Sequence, residues 1–277
     1  MTTTKERIDV LLVERGFYES RVKAKAALMA GLVLVNDEPV DKSGMKVDRS
    51  ADIKVKGAVH PYVSRGGLKL EKAIRLFQID MKDRVMLDIG ASTGGFTDCA
   101  LQNGASYVYA IDVGYNQLDW SLRQDSRVHV MERTNFRYTQ PSDLVGPEPT
   151  FASIDVSFIS LKLILPALSR LLRTGSGIVA LIKPQFEAGR EKVGKSGVVR
   201  DPKVHEEVLR NVLGAAGQLG YKLEALTFSP ITGGEGNIEF LAYWTWMNEP
   251  QQPGYDEAAI TDVVRQAGDT FTVGKAN

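Results

Sequence analysis

The chain has 277 residues and a formal charge of zero, with 34 lysines and arginines against 34 aspartates and glutamates. That length holds one large α/β domain and a small accessory one. A single cysteine, Cys99, excludes an intrachain disulfide and a thiol metal cage, and no metal is expected. The most apolar region, 151–172, is interrupted by Asp155, Lys162 and Pro166 and falls short of the ~20 apolar residues of a membrane span. The polar start, Met1 to Val10, carries no signal-peptide core, so a cytoplasmic protein without a membrane partner is expected. The charge is uneven. Through Lys82 there are 16 basic against 11 acidic side chains, an asymmetry that hints at a polyanionic partner bound from the N-terminal end.

Ile8, Leu11 and Leu12 fall at helical spacing, with Gly16 placed as a stop. Glu19-Ser20 opens a second helix, with Ser20 as N-cap and Val22, Ala26, Leu28 and Met29 as its apolar side. Arg21, Lys23 and Lys25 cluster in its first turns, and Gly31 ends it. Residues 32–36 and 52–55 read as strands, with a turn at Asn36-Asp37-Glu38. Residues 1–59 form a small α+β unit with little core of its own. His60 to Gly67 reads as a linker, because Pro61 and the glycine pair break regular structure. An amphipathic helix over 68–77 follows, with Lys69 in its first turn, where a lysine is unfavourable for the helix dipole.

Residues 84–87 predict a buried strand, Asp88 to Phe96 a glycine-rich turn, and 96–101 a helix, an arrangement that brings backbone N–H groups near a nucleotide-like ligand. Strands follow at 107–112, 128–132, 151–155 and 178–183, with helices at 161–172 and 203–219. The last strands, 223–228 and 238–246, are expected to pair antiparallel. Such alternation implies a mostly parallel sheet covered on both faces, with ligands at the carboxyl ends of its strands. Asp88, Asp112, Asp155 and Lys183 all fall at such ends. Residues 248–277 read as a polar tail with a helix at 256–266.

A dinucleotide fingerprint requires G-x-G-x-x-G, yet Ser92 occupies its second glycine position. The spacing D-x-G-x-x-x-G-G instead suits S-adenosylmethionine, with Asp88 facing its cationic end and Asp112 its ribose hydroxyls. The candidate cofactor set is Asp88, Gly90, Ala91, Ser92, Thr93, Gly94, Gly95, Phe96, Asp112, Glu132 and Asp155. Residues 187–200, with Gly189, Gly194, Gly197 and the cations Arg190, Lys192 and Lys195, read as a mobile loop at the mouth of the site. Lys192 and Lys195 are candidates for contact with RNA.

Arg7-Ile8-Asp9, Ser20-Arg21, Ala30-Gly31, Val33 to Asn36 and Asp52 to Val55 run in the order of a known RNA-binding fold. The stretch resembles that of small-subunit ribosomal protein S-four. The resemblance implies that Arg7, Arg21, Lys23 and Lys25, with Arg65 at the joint, approach phosphates. Lys69, Asp155, Lys183 and Glu239 resemble the Lys-Asp-Lys-Glu tetrad of FtsJ-like RNA 2′-O-methyltransferases, which have a Rossmann-like class I methyltransferase fold. Val63 to Leu70, Asp88 to Asp98, Asp155 to Ser160, Ile182 to Glu187 and Gly233 to Phe240 together resemble the TlyA (hemolysin A-like) family of ribosomal RNA methyltransferases. That family implies S-adenosylmethionine as cofactor, ribosomal RNA or ribosomal subunits as partner and a cytidine ribose as acceptor. Lys183 would be the base, with Lys69 and Asp155 assisting and Glu239 holding the lysines. Two rival readings follow. Asp155-Val156-Ser157-Phe158 could receive a base amino group, although the two prolines of that motif are absent; a membrane-active hemolysin would need an anchor or span that is not visible.

Overall fold

The computed structural model describes residues 5–18, 20–29, 31–55, 60–252 and 254–273. Glu19, Ala30 and the last four residues of the C-terminal segment, all drawn on in the sequence reading, lie outside the described residues. The chain divides into two compact units, Met1–Pro61 and Tyr62–Asn277.

The smaller unit contains β1 (Lys5–Arg7), α1 (Ile8–Glu14), α2 (Arg21–Met29), β2 (Val33–Val35), β3 (Glu38–Pro39), β4 (Lys46–Asp48) and β5 (Ile53–Val55). β2 lies between β3 and β5, antiparallel to both, and β1 pairs with β4. Asn36 and Asp37 both have positive φ, the conformation of a two-residue hairpin turn, and they join β2 to β3. The core gathers Ile8, Leu11 and Leu12 of α1, Ala24, Ala27 and Leu28 of α2, and Val33, Val35 and Ile53. The buried side of α2 differs from the expected one, since Val22 and Met29 are 79% and 71% exposed. Ala24, Ala27 and Leu28 stand at i, i+3 and i+4, and a short helix has room for only one such stripe. Small residues there let α2 come close to α1; Val22 and Met29 flank the wrong face.

The larger unit begins with α3 (Gly67–Leu76), β6 (Val85–Ile89), α4 (Gly95–Gln102), β7 (Tyr107–Ile111), α5 (Trp120–Arg123) and β8 (Val128–Met131). It continues through β9 (Phe151–Ile154), α6 (Leu161–Leu168), β10 (Gly177–Ile182), α7 (Pro184–Glu187), α8 (Pro202–Gln218), β11 (Tyr221–Phe228), β12 (Phe240–Trp246) and α9 (Glu257–Val273). The seven strands form one sheet in the order β11-β12-β10-β9-β6-β7-β8, parallel except for β12, which runs antiparallel to both of its neighbours. Side chains alternate across it. Leu87, Ile89, Ile154, Ala180 and Ile182 face Leu165, Leu209, Leu213 and Ile260 on one side. Met86, Val108, Ala110, Val179 and Leu181 face Leu70, Ala73, Phe96 and Cys99 on the other. Both faces are covered, which is why the central strands are apolar apart from Asp88 of β6 and Ser153 of β9. The chain steps outward from β6 to β7 and β8, then returns to β9 on the other side of β6. The crevice therefore opens at the carboxyl ends of β6 and β9.

Two segments differ from their sequence reading. Tyr62 to Gly67 is no slack linker: Tyr62 is buried, its hydroxyl donates to Glu71 at 2.9 Å, and the Val63 N–H donates to Asp98 on α4 at 2.8 Å. The C-terminal segment carries α9, which buries Ile260, Val264 and Ala267 against the sheet core. Those three residues are spaced i, i+4, i+7, a helical stripe hidden by the polar residues around it.

Candidate active site

The turn after β6 sits where the sequence placed it, but four of its N–H groups are spent internally. The Gly90 and Ala91 N–H groups donate to the Ile111 carbonyl at 2.9 and 3.1 Å, and the Gly94 N–H donates to Ala91 at 2.7 Å. The Ser92 N–H donates to Asp112 Oδ2 at 2.8 Å. With these four donors used, fewer remain for a pyrophosphate than a dinucleotide loop supplies. Gly90 has φ +88, and a Cβ there would collide with the Asp155 carbonyl oxygen. Gly95 has no room either, since a Cβ would meet the Ser64 hydroxyl and the Gly67 amide at the start of α3. These two close approaches bring the ends of β6, β9 and α3 together.

Lys69, Asp155, Lys183 and Glu239 converge at that junction. Lys69 Nζ lies 2.7 Å from Glu239 Oε2 and 3.5 Å from Asp155 Oδ2, while Lys183 Nζ lies 2.5 Å from Asp155 Oδ1. Lys183 also meets the Ser157 hydroxyl at 3.1 Å. Register explains the assembly. Ile182 of β10 pairs with Phe240 of the antiparallel β12, so Lys183 leaves the sheet where Glu239 enters it. Lys69, Lys183 and Glu239 are 7%, 7% and 2% exposed, and two cations with two carboxylates make a cluster that buried charge requires. Burial pushes the Asp155 carboxyl up, but Lys69 and Lys183 outweigh it and hold it below its ordinary value. Glu239 also resolves the lysine at the start of α3, supplying the negative charge that the helix N-terminus favours.

Two cavities meet here. One, of about 620 Å³, is lined by Lys69, Asp155, Lys183 and Glu239 with Gly90, Ala91, Ser92, Gly95, Phe96 and Arg65. The other, of about 400 Å³, holds Asp112 above an apolar slot of Ile111, Val113, Phe136 and Ile164. Gly90, Ser92 and Asp155 belong to both. Each Asp112 oxygen accepts one backbone bond, from Ser92 and from Gly114 at 2.7 Å, leaving lone pairs for a diol. A nucleoside with no phosphate fits such a slot.

Four residues of the expected cofactor set line neither cavity. Asp88 is fully buried beneath the turn, its carboxylate accepting from the Thr97 hydroxyl at 2.6 Å and the Ser153 hydroxyl at 3.0 Å. It ties the turn to β9 and does not face a ligand. Burial pushes its carboxyl up to about 6. Glu132 is taken by Arg123 and the Gln117 N–H, and the Arg123 guanidinium holds its carboxyl at about 2. Thr93 accepts the Asp119 N–H at 3.0 Å, and Gly94 packs under Leu118 and Leu122. Strand ends identify which residues approach a site, but cannot tell a contact from a support one layer below. Cys99 is buried, and its thiol is pushed up to about 12, as expected of an inert core residue.

Glu187 has no role assigned from the sequence, and Phe158 figures there only in the rival amino-group motif. Glu187 accepts from the Ser160 hydroxyl at 2.6 Å and the Leu161 N–H at 2.7 Å, capping α6 and bracing the Asp155 loop against α7. Phe158 lines both cavities, is 91% exposed and has φ +64, a costly conformation for a bulky side chain. Its ring stands 5.0 Å from that of Phe186. Only the motifs around Asp155 and Lys183 pointed toward them.

The RNA candidates behave differently from one another. In the smaller unit, Arg7 and Arg21 clamp the buried Asp9 at 2.9 and 2.8 Å, and Arg7 first among them holds its carboxyl at about 2. Both guanidiniums therefore carry a structural duty. Lys23 and Lys25 lie on the exposed side of α2. In the larger unit, Arg65 is exposed at the wall of the larger cavity, Lys195 is exposed, and Lys192 pairs with Glu207. The loop of 187–200 is not loose along its length, since Val198 and Val199 are 7% and 3% exposed. Among the described residues no group of His, Cys, Asp and Glu is placed to hold a metal ion, and no helix is long and apolar enough to cross a membrane.

A doubly covered, mostly parallel sheet with a nucleoside slot and a buried Lys-Asp-Lys-Glu cluster at its switch point defines an S-adenosylmethionine-dependent methyltransferase. The chain belongs to the FtsJ-like methyltransferase family, whose model matches residues 62–245, and an S4 domain matches residues 6–53. It is 59% identical over 278 residues to a candidate rRNA methyltransferase of Bacillus subtilis, YqxC, covering 100% of this chain and 99% of that protein. It is 40% identical over 262 residues to the 16S/23S rRNA (cytidine-2′-O)-methyltransferase TlyA of Mycobacterium tuberculosis, covering 94% and 96%. A solved structure from Streptococcus thermophilus, described as a candidate hemolysin, is 52% identical with a TM-score of 0.80 and covers 100% of both chains.

Proposed function

We propose that the protein transfers a methyl group from S-adenosylmethionine to the ribose 2′-hydroxyl of a cytidine in ribosomal RNA, in the cytoplasm. The observation that carries the reading is the buried cluster of Lys69, Glu239, Asp155 and Lys183 where the nucleoside slot opens into a second, larger cavity. Relatives named as ribosomal RNA cytidine-2′-O-methyltransferases support the acceptor. Residues 1–59 would bind the RNA and residues 68–247 would carry the chemistry, with Lys23, Lys25, Arg65 and Lys195 meeting phosphates.

When bound, S-adenosylmethionine supplies an electrophilic methyl group on a sulfonium. Asp112 would hold its ribose diol, and the slot of Ile111, Val113, Phe136 and Ile164 its adenine. In its amine form Lys183 takes the 2′-hydroxyl proton at Nζ, since an ammonium has no lone pair to accept it. Asp155 and Ser157 orient that nitrogen toward the cavity. Lys69, anchored by Glu239, sets positive charge beside the developing alkoxide. Phe158 offers a ring face on which an extruded base can stack.

The test is transfer of labelled methyl groups to isolated ribosomal subunits, followed by mapping. Label on a cytidine 2′-oxygen is expected. Label on a base would overturn the acceptor, and no label in any ribosomal RNA would overturn the substrate class.

A further inference from the structure

The segment between α7 and α8 forms one wall of the larger cavity through Val193 and Gly197. Its far end is held from two sides. Asn237, 3% exposed, donates from Nδ2 to the Gly197 carbonyl at 2.9 Å, and its Oδ1 accepts the Val199 N–H at 3.1 Å. Its own carbonyl accepts the Gly233 N–H at 2.9 Å, which closes the loop that leads into β12. From the opposite side His205, buried on α8, stands 3.0 Å by Nε2 from the Val199 carbonyl. A carbonyl only accepts, so Nε2 carries the proton in that contact.

Asn237 thus reads the backbone of 197–199 as a neighbouring strand would, using one donor and one acceptor. Two residues later the chain reaches Glu239, the carboxylate that holds Lys69. The same short stretch therefore fixes both the cavity wall and one corner of the charged cluster. Asn237 itself lines the larger cavity but not the nucleoside slot. We propose that Asn237 is a positioning residue, a latch that sets the far wall of the larger cavity and the place of Glu239 without contributing to the hold on the methyl donor. The proposal rests on the methyl-transfer reading above.

Other side chains fail the latch for stated reasons. An aspartate keeps the acceptor for Val199 but sets a carboxylate against the Gly197 carbonyl. An alanine leaves both backbone groups without their partner, a cost that burial makes large.

The experiment compares wild type, Asn237→Asp and Asn237→Ala in the full chain, by turnover on ribosomal subunits, calorimetric S-adenosylmethionine affinity and amide hydrogen exchange. Displacing the cluster by an ångström costs about 100-fold in turnover for Asn237→Ala, with a smaller loss for Asn237→Asp. Affinity for S-adenosylmethionine stays at the wild-type value in both, while exchange at the Val199 amide accelerates. Normal turnover with accelerated exchange overturns the proposal, as does a loss of S-adenosylmethionine affinity in step with turnover. If Asn237→Ala does not fold, Asn237→Asp carries the same comparison. If the wild-type protein methylates no ribosomal RNA, the acceptor assignment fails separately. Exchange at Val199 and at Ser229, whose N–H donates to Glu239, then decides the latch, and rates unchanged from wild type overturn it.

Discussion

Lys183 reaches Asp155 at 2.5 Å and the Ser157 hydroxyl at 3.1 Å, so its Nζ is aimed before any substrate arrives. Replacing it by alanine removes the proton acceptor and leaves the nucleoside slot, which it does not line, unchanged. Turnover of Lys183→Ala is expected to fall about 100- to 10,000-fold with S-adenosylmethionine affinity retained. A rate near that of wild type in methyl-transfer assays would remove Lys183 from the mechanism. Asp88 makes a different prediction, because its carboxyl is buried and pushed from its ordinary 3.8 up to about 6. Between those values the folded chain holds a proton that the unfolded chain has released, so this group's contribution to stability is full below about pH 4 and lost as pH rises through about 6. Asp88→Asn has no such charge to bury. Its thermal stability relative to wild type should therefore rise from pH 4 to pH 7 and level off above; a difference independent of pH would show that Asp88 does not titrate there.

The site is carried by loops, yet each is tied to a regular element. Glu187 caps α6 from α7 and so joins the loop bearing Asp155 and Phe158 to the one bearing Lys183. Glu187→Ala should cost about 1 kcal/mol of stability, as other lost helix caps do, and should lower turnover more than it lowers S-adenosylmethionine affinity. Glu187→Gln keeps an acceptor for Leu161 and should recover part of both in unfolding and turnover measurements. Gly90 is the corresponding joint between β6 and β9. Gly90→Ala combines an unfavourable φ with a collision at the Asp155 carbonyl, and calorimetry should find its S-adenosylmethionine binding lost. Retained binding would mean that the turn can move aside. The helical periods of α1, α3 and α8 were readable because their apolar stripes are long or well bounded. α9 was legible as a helix at 256–266, but its docking face was not, because Ile260, Val264 and Ala267 stand among mostly polar neighbours.

At the scale of the molecule, each unit has its own core. A protein lacking residues 1–61 should still bind S-adenosylmethionine while losing RNA affinity and the steep salt dependence that phosphate contacts confer. Equal salt slopes with and without the smaller unit would deny it that role. By itself the sequence determined the alternation of strands and helices and the turn at Asp88 to Phe96, and its resemblance to a known tetrad singled out the four charged residues. Apolar periodicity and glycine placement are local properties, and the motifs are contiguous. Only the tertiary structure showed that Asp88 is bonded to Thr97 and Ser153, that Glu132 pairs with Arg123, that Arg7 and Arg21 serve Asp9, that Glu187 caps α6 and that Asn237 holds the backbone of 197–199. Those assignments depend on which side chain reaches a partner tens of residues away. The register of β10 against β12 sets that reach for Lys183 and Glu239, and no local pattern records it.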